Sequence, residues 1–277
     1  MNTKDIKRML IVNDVTGYGR VSTFAMLPIM TKYGLHPYVL PTALVSNTMD
    51  YGDCEILETT EFIKGTVEKW RGFGFKFNAI STGFINSKEQ ANIISSLIDE
   101  MNPKFLLVDP IMADSGELYP NMNPESVNYY KKIIAKSNIC IPNITEARLL
   151  TDLACDKEFI DDDELDEIIN KLTALGCKNI VITDCKSNDG KYFNYLFDYA
   201  ISKASKIYFE KLPTSFIGTG DVFSAVLCSE LLLGSSMEVS VKIASDFVSS
   251  VIIDNSDNDD TYDLIIEKSL KYINKND

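Results

Sequence analysis

Short apolar runs alternate with stretches of helical periodicity along most of the chain, and this alternation restricts the fold more than any other feature. Met9 to Asn13, Tyr38 to Pro41, Asn78 to Thr82, Phe105 to Asp109, Ile139 to Ile141 and Asn179 to Thr183 read as strands. Several are apolar throughout, as strands covered by helices on both faces must be. Between them, Ala91, Ile94, Leu97, Ile98 and Met101 recur at helical spacing. Leu165, Ile168, Ile169, Leu172 and Leu175 do the same just before Gly176, a residue suited to ending a helix. The pattern predicts an α/β fold in which a mostly parallel sheet lies between helical layers. Lys191 to Tyr199 and Ile207 to Leu212 read as strands too close together for a helical crossover, so that edge is expected to be antiparallel. Helices are expected from Asp221 to the end. No Pro-, Gly- or Ser-rich linker interrupts the chain, so residues 1–277 are expected to form a single domain.

Charge and residue content remove several functions. Against 40 Asp and Glu stand 27 Lys and Arg, and the formal charge of −13 leaves no basic stripe for nucleic acid. The six cysteines form no C-x-x-C pair, and the one histidine, His36, precedes Pro37 in an expected turn. A zinc site or a Ser-His-Asp triad would have almost nothing to draw on. After Lys4, Lys7 and Arg8 the apolar run is only Met9 to Val12, too short for a signal peptide, and no uncharged stretch is long enough to cross a membrane. A reducing cytoplasm, with the cysteines as free thiols, is the expected location. The acidic clusters Asp161 to Glu164 and Asp257 to Asp260 lack calcium-loop spacing and read as solvated surface.

In such a sheet, ligands bind beyond the carboxyl ends of the strands, and the residues there are polar. Asn13 and Asp14, Ser81 and Thr82, Asp109, Asn143, and Thr183 with Asp184 converge on one rim. Gly218-Thr219-Gly220-Asp221 then feeds the apolar run Val222 to Leu227, a glycine turn opening a buried helix. Free backbone amides at such a start bind an oxyanion. Asp221 is either the cap of that helix or a base that accepts a proton from an attacking hydroxyl. Asp109 and Glu146 are oxygen donors of the kind that suits hydrated Mg²⁺ beside phosphates, while Asn143 could equally be a helix cap. Neither a P-loop nor a dinucleotide fingerprint is present, since Gly17-Tyr18-Gly19-Arg20 lacks the third glycine and the lysine.

Taken in order, these segments resemble the ribokinase superfamily, and within it the pyridoxal, pyridoxine and pyridoxamine kinases. Asn13 to Arg20 is similar to the first substrate loop, and Pro41 to Asn47 to the segment flanking the vitamin ring. Ser81 to Phe84 is similar to the strand end with a ring-contacting aromatic. Asp109 to Asp114 with Gly116 and Tyr119, Pro142-Asn143 with Glu146, and Gly218 to Asp221 resemble the family's later blocks. The resemblance implies a ribokinase-like three-layer αβα sandwich that transfers phosphoryl from ATP to the 5′-hydroxymethyl group of a B6 vitamer. It implies Asp221 as general base and Gly218, Thr219 and Gly220 as the anion hole. It further implies Asn13, Asp14, Ser46 and Phe84 around the vitamer, Asn143, Thr183 and Asp184 at ATP, and Asp109 and Glu146 at the Mg²⁺ water shell. A homodimer is the oligomeric state it implies.

The chain also departs from that pattern. Thr48-Met49 stands where many pyridoxal kinases have His-Thr, Ala113 replaces a Gly, and Ile141 stands where some relatives carry Thr. The first bears on the choice of substrate, the others on metal and monovalent-cation dependence. A hydroxymethylpyrimidine kinase, another small-alcohol kinase of the same fold, and a vitamer-binding regulator without turnover are the alternatives. The segment from Thr42 to Asp53 is the expected lid.

Overall fold

In the computed structural model, residues 7–48, 51–214, 216–258 and 263–273 are described. The first half of the chain runs β1 (Arg8–Tyr18), α1 (Ser22–Lys32), β2 (His36–Asn47), β3 (Ile56–Glu58), α2 (Thr60–Phe73), β4 (Ala79–Thr82), α3 (Lys88–Met101) and β5 (Phe105–Val108). A two-stranded hairpin, β6 (Ala113–Asp114) and β7 (Glu117–Leu118), leads to α4 (Pro124–Ile134), β8 (Ile139–Cys140), α5 (Ile144–Leu150) and α6 (Asp162–Ala174). The remainder is β9 (Asn179–Lys186), β10 (Tyr192–Asp198), β11 (Lys203–Phe209), α7 (Thr219–Leu233) and α8 (Met237–Asp254).

Among the described residues one nine-stranded sheet has the order β11-β10-β9-β8-β5-β4-β1-β2-β3. From β9 to β2 every pairing is parallel, whereas β10 and β11 are antiparallel, as the short connections predict. Successive residues of β1 serve opposite faces. Leu10 and Val12 join a core with helices α2 to α6, while Met9 and Ile11 join one with α1, α7 and α8. The result is the expected three-layer sandwich.

Several boundaries differ from the sequence reading. β1 does not stop at Asn13. It passes an irregularity between Asn13 and Val15 and pairs on with β2 as far as Tyr18, so the presumed first substrate loop is largely strand. Backbone pairing leaves no side-chain pattern, which is why the polar stretch reads as loop. For the same reason half of the expected lid, from Thr42 to Asn47, is strand, held between β1 and the short antiparallel β3. Met49 and Asp50 lie outside the described residues. β11 begins four residues earlier than expected, and past α8 the chain makes two short 3-10 turns at Ile266–Lys268 and Leu270–Tyr272. His36 opens β2 instead of forming a turn, with its ring exposed beside Tyr38. Of the acidic clusters, Asp161, Asp162 and Asp163 are exposed as expected, with Asp161 capping α6, while Glu164 is largely buried against Arg148 at 2.8 Å. Asp259 and Asp260 lie outside the described residues.

Because β1 has β2 on one side and β4 on the other, the chain reverses its direction of travel through the sheet at β1. Their carboxyl ends open a crevice where ligands of parallel sheets bind. Asn13 and Thr82 stand at that point.

Candidate active site

A cavity of about 640 Å³ lies over those strand ends, with Asp14, Phe84, Asp109, Asn143, Thr183 and Asp221 among its walls. The start of α7 forms one of its edges. Gly218 holds a left-handed φ of +88° and gives α7 no side-chain cap, so the first amides of the helix have no side-chain acceptor. A Cβ at that position would collide with the Arg20 carbonyl oxygen. Gly220 is free of neighbours on its side-chain face, leaving an unobstructed approach to a positively polarised helix end. An oxyanion fits there.

Asp221 is not the cap of α7. Its carboxylate crosses to the start of α1, where Oδ2 accepts the Ser22 backbone N–H at 2.8 Å. Val21, at the head of α1, offers no side-chain cap, so Asp221 satisfies an amide the helix would otherwise leave orphaned. Ser22 itself sits at a φ of +51°, a strained setting for a residue with a Cβ. On the other side Asn13 Nδ2 donates to Asp221 Oδ1 at 3.4 Å. Burial, opposed by the Ser22 and Asn13 hydrogen bonds but reinforced by the neighbouring Asp14, pushes the Asp221 carboxyl up to about 7. A group poised there can accept a proton near neutral pH.

Asn13 is positioned differently from what the sequence implies. It is almost wholly buried behind the cavity wall, and its Oδ1 accepts the N–H groups of Asp14 at 3.1 Å and Phe84 at 2.8 Å. It ties Phe84 to Asp221 and does not line the cavity. The turn must come close for this to happen, and a Cβ on Gly83 would stand 2.5 Å from Asn13 Oδ1. Gly83→Ala is therefore expected to displace the amide and loosen both contacts. Thermal melts should show a loss on the order of 2 kcal/mol, with turnover falling alongside. A variant with wild-type melting and turnover would show that Asn13 has room to move.

Asp14 lines the cavity, its Oδ2 accepting the Thr16 hydroxyl at 2.8 Å, and burial raises its carboxyl. Asp109 lies across the cavity with Oδ2 accepting the hydroxyl of Ser224, one turn beyond Asp221, at 2.7 Å. Burial and then the charge of Asp221 push Asp109 up to about 8, with the Ser224 bond acting against them. Glu146 is raised by burial and by Asp109, yet its oxygens accept the Met112 and Asn143 N–H groups at 3.1 and 2.9 Å. Asn143 caps α5 through the Glu146 N–H at 2.9 Å and donates to the Ala113 carbonyl at 2.8 Å. Its amide is thus committed to the protein. Thr183 faces the cavity and bridges Asn143 through the backbone. Asp184 pairs with Lys211 at 2.6 Å.

Ser46, like Asn13, is an expected site residue that does not line the cavity. Its hydroxyl donates to Asn47 Oδ1 at 2.6 Å and accepts the Glu55 N–H at 2.9 Å, closing the approach to β3. Thr48 and Ile141, two of the departures, do line the cavity, while Met49 lies outside the described residues. Ser22, Thr16, Ser224 and Lys211 carry no sequence signal, because each belongs to the site only through tertiary contact.

The model of the phosphomethylpyrimidine kinase family matches residues 25–263. The chain belongs to that family. It is accordingly a kinase of this fold, a phosphotransferase. A pyridoxine/pyridoxal/pyridoxamine kinase of Bordetella avium is 29% identical over 243 residues, which are 83% of this chain and 79% of that protein. A hydroxymethylpyrimidine/phosphomethylpyrimidine kinase of Haemophilus influenzae is 25% identical over 183 residues, 64% of this chain and 66% of that protein. Among solved structures, a Bacteroides thetaiotaomicron protein described as a phosphomethylpyrimidine kinase, in a crystal form with pyridoxal, superimposes with a TM-score of 0.90. Its identity is 28%, covering 97% of this chain and 96% of that one. Among the described residues no helix is long and apolar enough to cross a membrane.

Proposed function

We propose that this chain transfers the γ-phosphoryl group of ATP to the 5′-hydroxymethyl group of a B6 vitamer. The observation that carries the reading is the pairing of Asp221, held near neutrality, with the uncapped amides that open its own helix. Asp221 takes the proton of the attacking alcohol, and the Gly218, Thr219 and Gly220 amides receive the equatorial oxygens of the phosphoryl group in flight. Ser22 and Asn13 hold the carboxylate in place, so no reorganisation is needed when charge develops. Phe84, anchored by Asn13 and by the Thr42 hydroxyl on its carbonyl at 2.7 Å, offers a flat face to a pyridine ring.

Magnesium fits this wall. Burial pushes both Asp109 and Glu146 up, with Asp221 adding to the effect on Asp109 and Asp109 to that on Glu146, and a cation nearby would offset it. Among the described residues no cluster of three or more His, Cys, Asp or Glu is arranged to cage a metal. The pair therefore suits an ion that keeps its waters and arrives with the phosphates, with Glu146 reaching it through water. Bound there, it would neutralise phosphate charge.

A hydroxymethylpyrimidine is the second reading, favoured by the family match and the Haemophilus influenzae relative. Initial rates with pyridoxal, pyridoxine, pyridoxamine and hydroxymethylpyrimidine separate the two. One of the vitamers should exceed the pyrimidine in kcat/KM by about tenfold or more, the range that a pocket of fitted shape supplies. A pyrimidine preferred over all three vitamers overturns the proposal. No ATP consumption with any of the four alcohols would point instead to a binding protein.

A further inference from the structure

The cavity wall is a poor host for a polyanion. Seven acidic side chains line it, of which burial pushes Asp14, Asp109, Glu146 and Asp221 up, and Lys211 is its one basic side chain among the described residues. Those that are ionised repel a nucleotide triphosphate, and no other basic side chain of the wall offsets them. The position of the lone cation is therefore informative.

Lys211 follows β11 on the way to Gly218. Its ammonium is fixed by Asp184 Oδ1 at 2.6 Å and lies 5.1 Å from the centre of the Tyr192 ring. Asp184 is itself placed by a bulge in the sheet. Between Ile182 and Cys185 the register of β9 against β10 slips, so that Thr183 and Asp184 together face Asn194. Asp184 adopts a φ of +55° there, and its N–H donates to Asn194 Oδ1 at 3.3 Å. Bulges re-aim side chains next to ligand sites. This one turns Thr183 and Asp184 toward the cavity, and Asp184 in turn holds the ammonium over it. About half of each side chain remains exposed, so the ion pair adds little to stability and can be shared with an incoming anion.

We infer that Lys211 is the phosphate-binding cation of this site, and that Asp184 serves it as a positioning residue without touching the nucleotide. The inference rests on the ATP reading above and adds to it the group that offsets the acidic wall. It also gives Asp184 a role different from the direct ATP contact implied by the resemblance, since an exposed carboxylate is a poor partner for phosphate.

Calorimetric titration of the full chain with ATP and with adenosine tests this. Lys211→Met should weaken ATP by about ten- to a hundredfold, the range of one charge-assisted hydrogen bond, and leave adenosine unchanged. Lys211→Arg should keep most of the ATP affinity, and the salt dependence of ATP binding should fall in the Met variant. Asp184→Asn should weaken ATP less than Lys211→Met does, and add nothing in the Lys211→Met background. If wild type binds ATP and Lys211→Met binds it equally well, the assignment fails while the nucleotide reading stands. Equal losses for ATP and adenosine would show a structural role and overturn it too. Further weakening by Asp184→Asn in the double variant would put Asp184 on the nucleotide and refute its positioning role. A wild-type chain that binds no ATP overturns the nucleotide reading and this assignment together.

Discussion

Asp221→Asn should lower turnover by about a hundredfold or more, the scale of general-base catalysis, while leaving ATP affinity close to wild type. The amide keeps an oxygen for the Ser22 N–H, so the start of α1 and the glycine turn stay in place. What disappears is the capacity to take a proton. The same assignment fixes a pH dependence. Burial and Asp14 hold the Asp221 carboxyl at about 7, and only its ionised form is a base. For the wild type, kcat/KM should therefore rise with pH through about 7 and level off above it. The Asn variant should lack that limb and show only its low residual rate. Calorimetric ATP binding beside a pH–rate profile checks both halves. Near-wild-type turnover in the variant, or a wild-type profile flat from pH 6 to 8, would remove Asp221 from the proton transfer.

The parts of this arrangement differ in how far they can be read from the chain. Strands buried on both faces announce themselves as apolar runs, and the glycine turn before a buried helix is legible as an uncapped helix start from the local sequence. Asn143, too, is recognisable as a cap, because its partner Glu146 lies three residues on. By contrast, nothing local distinguishes Asn13 from Ser46. Both are small polar residues that follow an apolar run, yet one is sealed behind Phe84 and the other turns out toward Glu55. The difference lies in β1 and β2, whose polar ends continue to pair, and in a turn at Gly83 tight enough to admit the Asn13 amide. Ser22 contributes through its backbone, where side-chain identity carries almost no information. Lys211 is one of many lysines until the bulge at Asp184 brings it to the cavity.

Asp109→Asn should stabilise the fold at alkaline pH while impairing the reaction. In the folded chain Asp109 holds its proton to about 8, against 3.8 for an unperturbed carboxyl, because burial and the nearby Asp221 oppose its charge. The folded state thus binds this proton more tightly than the unfolded chain does. The stability that goes with it is complete below about pH 4 and is lost as pH rises to and through 8. Asparagine has no proton to lose and can still accept the Ser224 hydroxyl. Relative to wild type, the variant should gain on the order of 2 kcal/mol above pH 8, a figure kept below the full shift because the carboxylate opens onto the cavity. Each kcal/mol corresponds to a rise in Tm of roughly 2 °C or more for a chain of this size. Near pH 4 the two proteins should melt together. Turnover should fall, since the ion and phosphates would lose a carboxylate on the metal side of the site. Paired melts at acid and alkaline pH decide the matter. An equal offset at both would mean that asparagine packs differently there, and that the charge of Asp109 places no strain on the fold. A gain confined to alkaline pH, together with lost activity, would show that this chain keeps a destabilising carboxylate because the reaction needs it.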